Sequence, residues 1–249
     1  MNASAGEAAV SAPAGESVRR VDSIDWERVS EELEARGNAR IDRLLTPDEC
    51  NALAALYPLD YIFRNRVMME RHGFGHGEYK YFRCPLPGIV AGLRSALYRY
   101  LAPTANRWNA AMGMDVRYPE THTDFIARCH AAGQYKPTPL LLNYGADDYN
   151  CLHQDPYGAH VIPLQVTILF SETERDFSGG EFVITGQRPR RQSRPKWCRG
   201  GRVDAAAVAV HERPVRGTRG VYRVNLRHGV SHVRAGRRCA CGLIFHDAE

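Results

Sequence analysis

Three places in this chain set a histidine two residues before an acid: His76 and Glu78, His122 and Asp124, and His153 and Asp155. On a β-strand, residues i and i+2 point to one face, so such a pair can reach one ion. Two imidazoles and a carboxylate on one side of a metal, with open positions opposite, suit iron(II) and oxygen activation. The spacing alone is common in a chain with ten histidines, so context must choose. His76 stands in HGFGHGEYKYF, a glycine-rich stretch that reads as a loop with no strand around it. His122 stands in PETHTDF, which reads as a helix start, where i and i+2 diverge and capping fits better than metal binding. His153 ends a strand-like segment and precedes the turn Pro156-Tyr157-Gly158. His153 and Asp155 are therefore the expected metal pair.

For the distant ligand, His211, His228, His232 and His246 compete. His228 opens HGVSHVRAGRR, and ten residues on lies Arg238. A guanidinium offers a fixed fork that grips a carboxylate through two parallel, charge-assisted hydrogen bonds. That pairing favours His228. His211, which follows the apolar run AAAVAV, is the runner-up.

These residues need elements to hold them. The chain has 249 residues, 44% hydrophobic and 24% charged, enough for one domain with a helical annex. It holds no apolar run long enough to span a membrane. The first twenty residues lack the pattern of a secretory signal and read as a disordered tail, so a cytoplasmic protein is expected. Seven scattered cysteines without a CxxC pair argue against a zinc ribbon and fit reduced thiols. Residues 21–136 read as a helical annex. Trp26, Val29 and Leu33 fall at helical spacing, Thr46-Pro47-Asp48-Glu49 is a helix start, and Ile89, Leu93, Leu97, Tyr100 and Leu101 mark another helix. A third helix is expected over Thr121 to Ala131, and ARIDRLL reads as a short extended piece. From 137 to 249 the texture becomes short β-branched or apolar runs broken by Gly, Pro and Asp. Helices first and strands second predict an α+β chain, its N-terminal helices packed on a jelly-roll core.

Charge is uneven. Between Arg188 and Arg238 stand fifteen Arg or Lys and two acids, a stretch of +13 in a chain whose net charge is +5. Within it, RPRRQSRPKWCRGGR reads as a loop. Arg188, Arg190, Arg191, Arg194, Lys196, Arg199 and Arg202 suit phosphate contacts, and Trp197 suits stacking on an unpaired base, so single-stranded nucleic acid is one expected partner.

Tyr144, nine residues before His153-Gln-Asp155, then Gly179-Gly180-Glu181, then His228 and Arg238, together resemble the Fe(II)/2-oxoglutarate dioxygenase superfamily. The spacings are similar to those of prolyl-hydroxylase-like and AlkB-like members, and the Gly-Gly-Glu element is more typical of the former. YNCLHQDPYGAHVIPLQVTILFSE and RPVRGTRGVYRVNLRHGVSHVRAG look like a bacterial 2-oxoglutarate oxygenase group suggested to act on damaged nucleic acid. The resemblance implies a double-stranded β-helix core. It implies Fe(II), 2-oxoglutarate and O2 as cofactor and co-substrates, with Arg238 and Tyr144 on the far carboxylate. It also implies hydroxylation of a substrate C–H, which dealkylates when that carbon is bound to nitrogen, as in DNA repair. Where AlkB-type enzymes place an Asn two residues before the Tyr, this chain has Leu142. A prolyl-hydroxylase-like activity on a protein or amino-acid side chain is the alternative. A non-catalytic jelly-roll module binding metal or sugar is the alternative of another class.

Overall fold

The computed structural model describes residues 15–187, 194–198, 206–218 and 220–249. Helix α1 (Gly15–Asp22) begins inside the stretch expected to be disordered. It is held because Val21 is fully buried and Arg20 reaches both Leu44 O and the Glu49 carboxylate. Helix α2 (Trp26–Arg36) starts at Asp25, whose side chain accepts from Arg28 N, and buries Val29 and Leu33. Strand β1 (Asn38–Ile41) leads to helix α3 (Pro47–Ala54), where Thr46 and Glu49 close the capping box read from the sequence. Strands β2 (Phe63–Met68), β3 (Gly75–His76) and β4 (Glu78–Phe82) precede helix α4 (Gly88–Ala111), which buries Ile89, Leu93, Leu97 and Leu101. Helix α5 (His122–Ala131) is capped by Thr121, whose side chain accepts from Asp124 N. The second His-x-acid pair thus belongs to a helix start, as its context suggested.

The remaining elements are strands: β5 (Leu140–Tyr144), β6 (Tyr149–His153), β7 (Leu164–Leu169), β8 (Phe177–Gly179), β9 (Phe182–Gln187), β10 (Arg194–Cys198), β11 (Ala206–Val210), β12 (Glu212–Gly217), β13 (Gly220–Val230), β14 (Val233–Gly236) and β15 (Arg238–Ile244). The larger sheet runs β1-β11-β7-β15-β5-β4-β2. The smaller runs β10-β9-β13-β6-β3, with β12 also paired to β13, and β14 pairs β8 in a two-stranded ribbon. All these ladders are antiparallel. Two antiparallel sheets with helices packed against them make the expected α+β jelly roll. No described helix is long and apolar enough to cross a membrane.

Three readings of the sequence change. The segment before residue 137 is not only helical: β1, β2 and β4 complete the larger sheet at its two ends, and β3 extends the smaller one. The extended piece expected at ARIDRLL begins in strand β1, whereas FRNRVM was hard to recognise because an edge strand buries residues unevenly and this one keeps Asn65 and Arg66 exposed. The basic segment read as a loop carries β10, in which Arg194, Lys196 and Trp197 pair with Gly186, Ile184 and Val183. Arg188, Arg190, Arg191, Arg199 and Arg202 lie outside the described residues. His76, placed in a loop by its glycines, sits in β3 opposite Tyr149.

Helix α4 is locked to the end of β15 by a buried ion pair. Arg94 donates to Asp247 Oδ1 at 2.8 Å, to Ile244 O at 2.8 Å and to His246 O at 3.0 Å. Such additional bonds offset the desolvation that a buried pair suffers. Beside it, His122 lies 2.8 Å from Phe245 O through Nε2 and 3.2 Å from Ser95 Oγ through Nδ1. Burial, with Arg94 nearby, pushes the His122 pKa down to about 4. Folded His122 is therefore neutral, while the unfolded chain protonates it near its ordinary value of about 6.5. Its contribution to stability is intact above that value and is lost as pH falls toward 4. Chemical unfolding at about pH 7 and about pH 4.5 should show a loss in the wild type that is smaller, by on the order of 2 kcal/mol, in His122→Gln. Equal losses in the two proteins would show that His122 accepts its proton without penalty.

Candidate functional site

The pairing of β6 with β13 sets His153 directly opposite His228, with ring centroids 4.3 Å apart. Asp155 turns back toward both: Oδ1 lies 3.6 Å from His153 Nε2 and Oδ2 lies 3.4 Å from His228 Nε2. Each of the three offers a ligand atom, and these atoms lie within 4.8 Å of one another. The His153 Nδ1–H donates to Cys151 O at 2.8 Å, which leaves Nε2 with its lone pair facing Asp155. Burial and the neighbouring His228 lower the His153 pKa, so this imidazole is neutral. Burial would raise the Asp155 pKa, but the surrounding His228, His153 and His211 hold it well below the usual carboxylate range. The Tyr157 hydroxyl donates to Asp155 Oδ1 at 2.9 Å and fixes the carboxylate's orientation.

The other half of the site comes from the larger sheet. Arg238, the first residue of β15, pairs in register with Tyr144, the last of β5. Its guanidinium carbon lies 5.5 Å from the Tyr144 ring centroid and 5.9 Å from that of Phe177. Arg238 is only 3% exposed, its Nε has no hydrogen-bond partner, and none of the described ion pairs gives it a carboxylate. A buried cation without an anion is costly, which makes Arg238 a candidate for binding an anionic group. Tyr144 is fully buried, and burial pushes its hydroxyl up to about 12, so it stays protonated and can donate. The Gly-Gly of the Gly-Gly-Glu element explains itself here. Gly179 and Gly180 both have positive φ, and a Cβ on Gly180 would stand 2.9 Å from Arg238 Cδ. Two imidazoles, a carboxylate and a buried guanidinium with no carboxylate partner among the described residues line one cavity, and the set fits a divalent metal and a dicarboxylate.

His211 lies outside the three-residue group, its Nε2 3.1 Å from Gln165 Oε1. His76 is held between Asp148 and Glu70, and Glu78 binds Tyr57 and Arg66, so that pair converges on no common point. His232 stacks on Tyr149, and His246 is fully buried behind Tyr157. Sequence reasoning missed Gln165 and Phe74, both of which line the cavity with the triad and Arg238. Gln165 did leave a signal, being the polar interruption in the apolar run VIPLQVTILF. Phe74 left none, because its glycine-rich surroundings hid the strand beside it.

Residues 77–248 match the model of the Oxygenase-NA family, described as an oxygenase catalysing oxidative methylation of damaged DNA. An uncharacterised protein of Mycobacterium tuberculosis, found in strains CDC 1551/Oshkosh and H37Rv, is 46% identical over 167 residues, 67% of this chain and 72% of that protein. Among solved structures, an oxidoreductase of the 2OG-Fe(II) oxygenase family from Burkholderia pseudomallei aligns with a TM-score of 0.50 at 15% identity. That alignment covers 90% of this chain and 93% of the other, a likeness of fold. The chain belongs to the Oxygenase-NA family.

Proposed function

We propose that this oxygenase removes alkyl groups from damaged nucleobases, with iron(II) held by His153, Asp155 and His228 and the far carboxylate of 2-oxoglutarate held by Arg238 with Tyr144. The observation that carries the co-substrate assignment is the buried Arg238 guanidinium, which has no carboxylate partner among the described residues and shares one cavity with the triad. Iron in that site supplies the coupling of 2-oxoglutarate decarboxylation, giving succinate and carbon dioxide, to insertion of one oxygen atom into a substrate C–H. Asp155 brings the negative charge that offsets part of the metal's. Tyr157 and the Cys151 carbonyl keep Asp155 and His153 turned toward a common point. Tyr144 and Arg238 orient the co-substrate from the opposite sheet. When the hydroxylated carbon is bound to nitrogen, the resulting hemiaminal breaks its C–N bond, the nitrogen regains a proton and an aldehyde leaves.

Two features support a base as substrate. The family description names damaged DNA. Phe74 is 46% exposed yet lines the cavity beside His153, and His72 stacks on it with centroids 5.3 Å apart. A half-exposed ring at a cavity mouth suits a planar ligand, and a base must leave its helix to reach such a site. The charge of the stretch from Arg188 to Arg202 suits phosphate contact. Hydroxylation of a peptide or amino-acid side chain is the rival reading, carried by the Gly-Gly-Glu resemblance.

Each of His153→Ala, Asp155→Ala and His228→Ala should abolish both succinate release and binding of Mn(II), while circular dichroism stays that of the wild type. Activity kept in His228→Ala but lost in His211→Ala would move the third ligand to His211. Arg238→Met should weaken 2-oxoglutarate binding by about 2–4 kcal/mol, the loss expected for a charged bidentate pair. In the absence of co-substrate the same variant should melt no lower than wild type, since an unpartnered buried charge has gone. For the substrate, formaldehyde release from methylated single-stranded DNA should fall steeply with added salt. Phe74→Ala should reduce it roughly tenfold or more, as loss of a base-stacking platform would. Succinate release driven by a proline-containing peptide, with none driven by methylated DNA, would replace this substrate with the rival one.

A further inference from the structure

Gln165 is 5% exposed in the middle of the larger sheet, between Ala209 of β11 and Ile244 of β15. Its carboxamide is held at both ends. Oε1 lies 3.1 Å from His211 Nε2, and Nε2 lies 2.9 Å from His228 Nε2. His211 is fixed in turn by its backbone: its N–H donates to Pro163 O, and its carbonyl accepts from Leu226 N and from the Gln154 side chain at 2.7 Å. Its ring lies parallel to that of His228, with centroids 6.1 Å apart. Its Nε2 is within hydrogen-bond distance of Gln165 Oε1, and an amide oxygen can only accept, so the ring N–H is the donor there. With that N–H donated to Gln165 Oε1, the network fixes the amide's orientation and aims its NH2 at His228 Nε2. This nitrogen of His228 is also the one that faces Asp155. The lone pair that Gln165 meets is therefore the one a metal would take.

We propose that Gln165 is a co-substrate-binding residue posed by His211. It competes with the metal for His228 Nε2, and when the metal takes that lone pair its N–H is handed to a carboxylate oxygen of 2-oxoglutarate bound beside His228. The proposal rests on the reading of His153, Asp155 and His228 as the metal ligands. His211 keeps hold of Oε1 throughout, so the released N–H cannot swing away and remains aimed into the cavity. A donor fixed in this way discriminates between occupants. It favours an anionic oxygen at that position and disfavours a second cation or an apolar group.

The competition gives two effects of opposite sign, which a merely structural glutamine would not. In Gln165→Met, Mn(II) alone should bind a few times more tightly, because the competing donor has gone. Affinity of the Mn(II)-loaded protein for 2-oxoglutarate should fall by about tenfold or more, as for loss of a charge-assisted hydrogen bond. His211→Phe, which keeps the ring and releases the amide, should move both affinities in the same directions by smaller factors. Both are read by titration calorimetry on the full chain, with melting temperature as the control for folding. His153→Ala is the control for the site and should lose Mn(II) binding altogether. Mn(II) binding lost in His153→Ala but weakened or unchanged in Gln165→Met overturns the role of Gln165 and leaves the metal site standing. Mn(II) binding unaffected by His153→Ala overturns both.

Discussion

The cross-strand pairing of His228 with His153 is the contact on which the site depends. Side chains opposite each other on antiparallel strands stand about 5 Å apart and share a face. That ladder therefore supplies two nitrogens for one ion before any loop is considered. The larger sheet repeats the device with Arg238 opposite Tyr144. Stacked sheets lie about 10 Å apart, which leaves room between the two pairs for a small dicarboxylate. A register slip of one residue in β13 would turn His228 away from the cavity and bring Arg227 or Gly229 onto its face. The apolar face of β13, with Val224 and Leu226 buried on either side of exposed Asn225, sets the register before the histidine does any chemistry.

Polar groups inside a jelly roll need partners, and the fold supplies them in two ways. Around the triad the partners are internal: Cys151 O for His153, the Tyr157 hydroxyl for Asp155, and the Gln165 amide for His228. Gln154, between two of the triad residues in sequence, turns the other way and ties the segment to the His211 and Leu226 carbonyls. Around Arg238 the described residues supply aromatic faces and no ion-pair partner. The contrast separates the part of the cavity whose polar groups the chain satisfies by itself from the part where it leaves a buried charge without one.

The grouping of the candidate residues was more legible than the architecture. The meeting of His153, Asp155 and His228 could be read because a strand puts residues i and i+2 on one face and Arg238 singled out His228, whereas Tyr144 came from the family resemblance. Thr46 and Thr121 were recognisable because caps are local. Of the N-terminal strands, β1 was read as an extended piece but its partner β11 was not, and FRNRVM gave no strand signal because it becomes one by pairing with β4. Helix α1 was lost for the same reason, its order coming from Arg20 bonded to Leu44 and Glu49. His211 could not be told from a ligand by its neighbours in sequence, because only the third dimension puts Gln165 between it and His228.

Strand β15 lies in the interior of the larger sheet, flanked by β7 and β5, yet it is the last strand in chain order. As the chain leaves the ribosome, β5 and β7 must therefore wait with bare edges facing one another until residues 238–244 emerge. Bare edges of apolar strands such as LLLNY and LQVTIL invite pairing with other chains. Arg238 opens that strand, so closing the sheet and setting the buried guanidinium opposite Tyr144 are one event. Until residues 238–244 have emerged, a nascent chain of this protein holds no half-built cavity with that guanidinium in place.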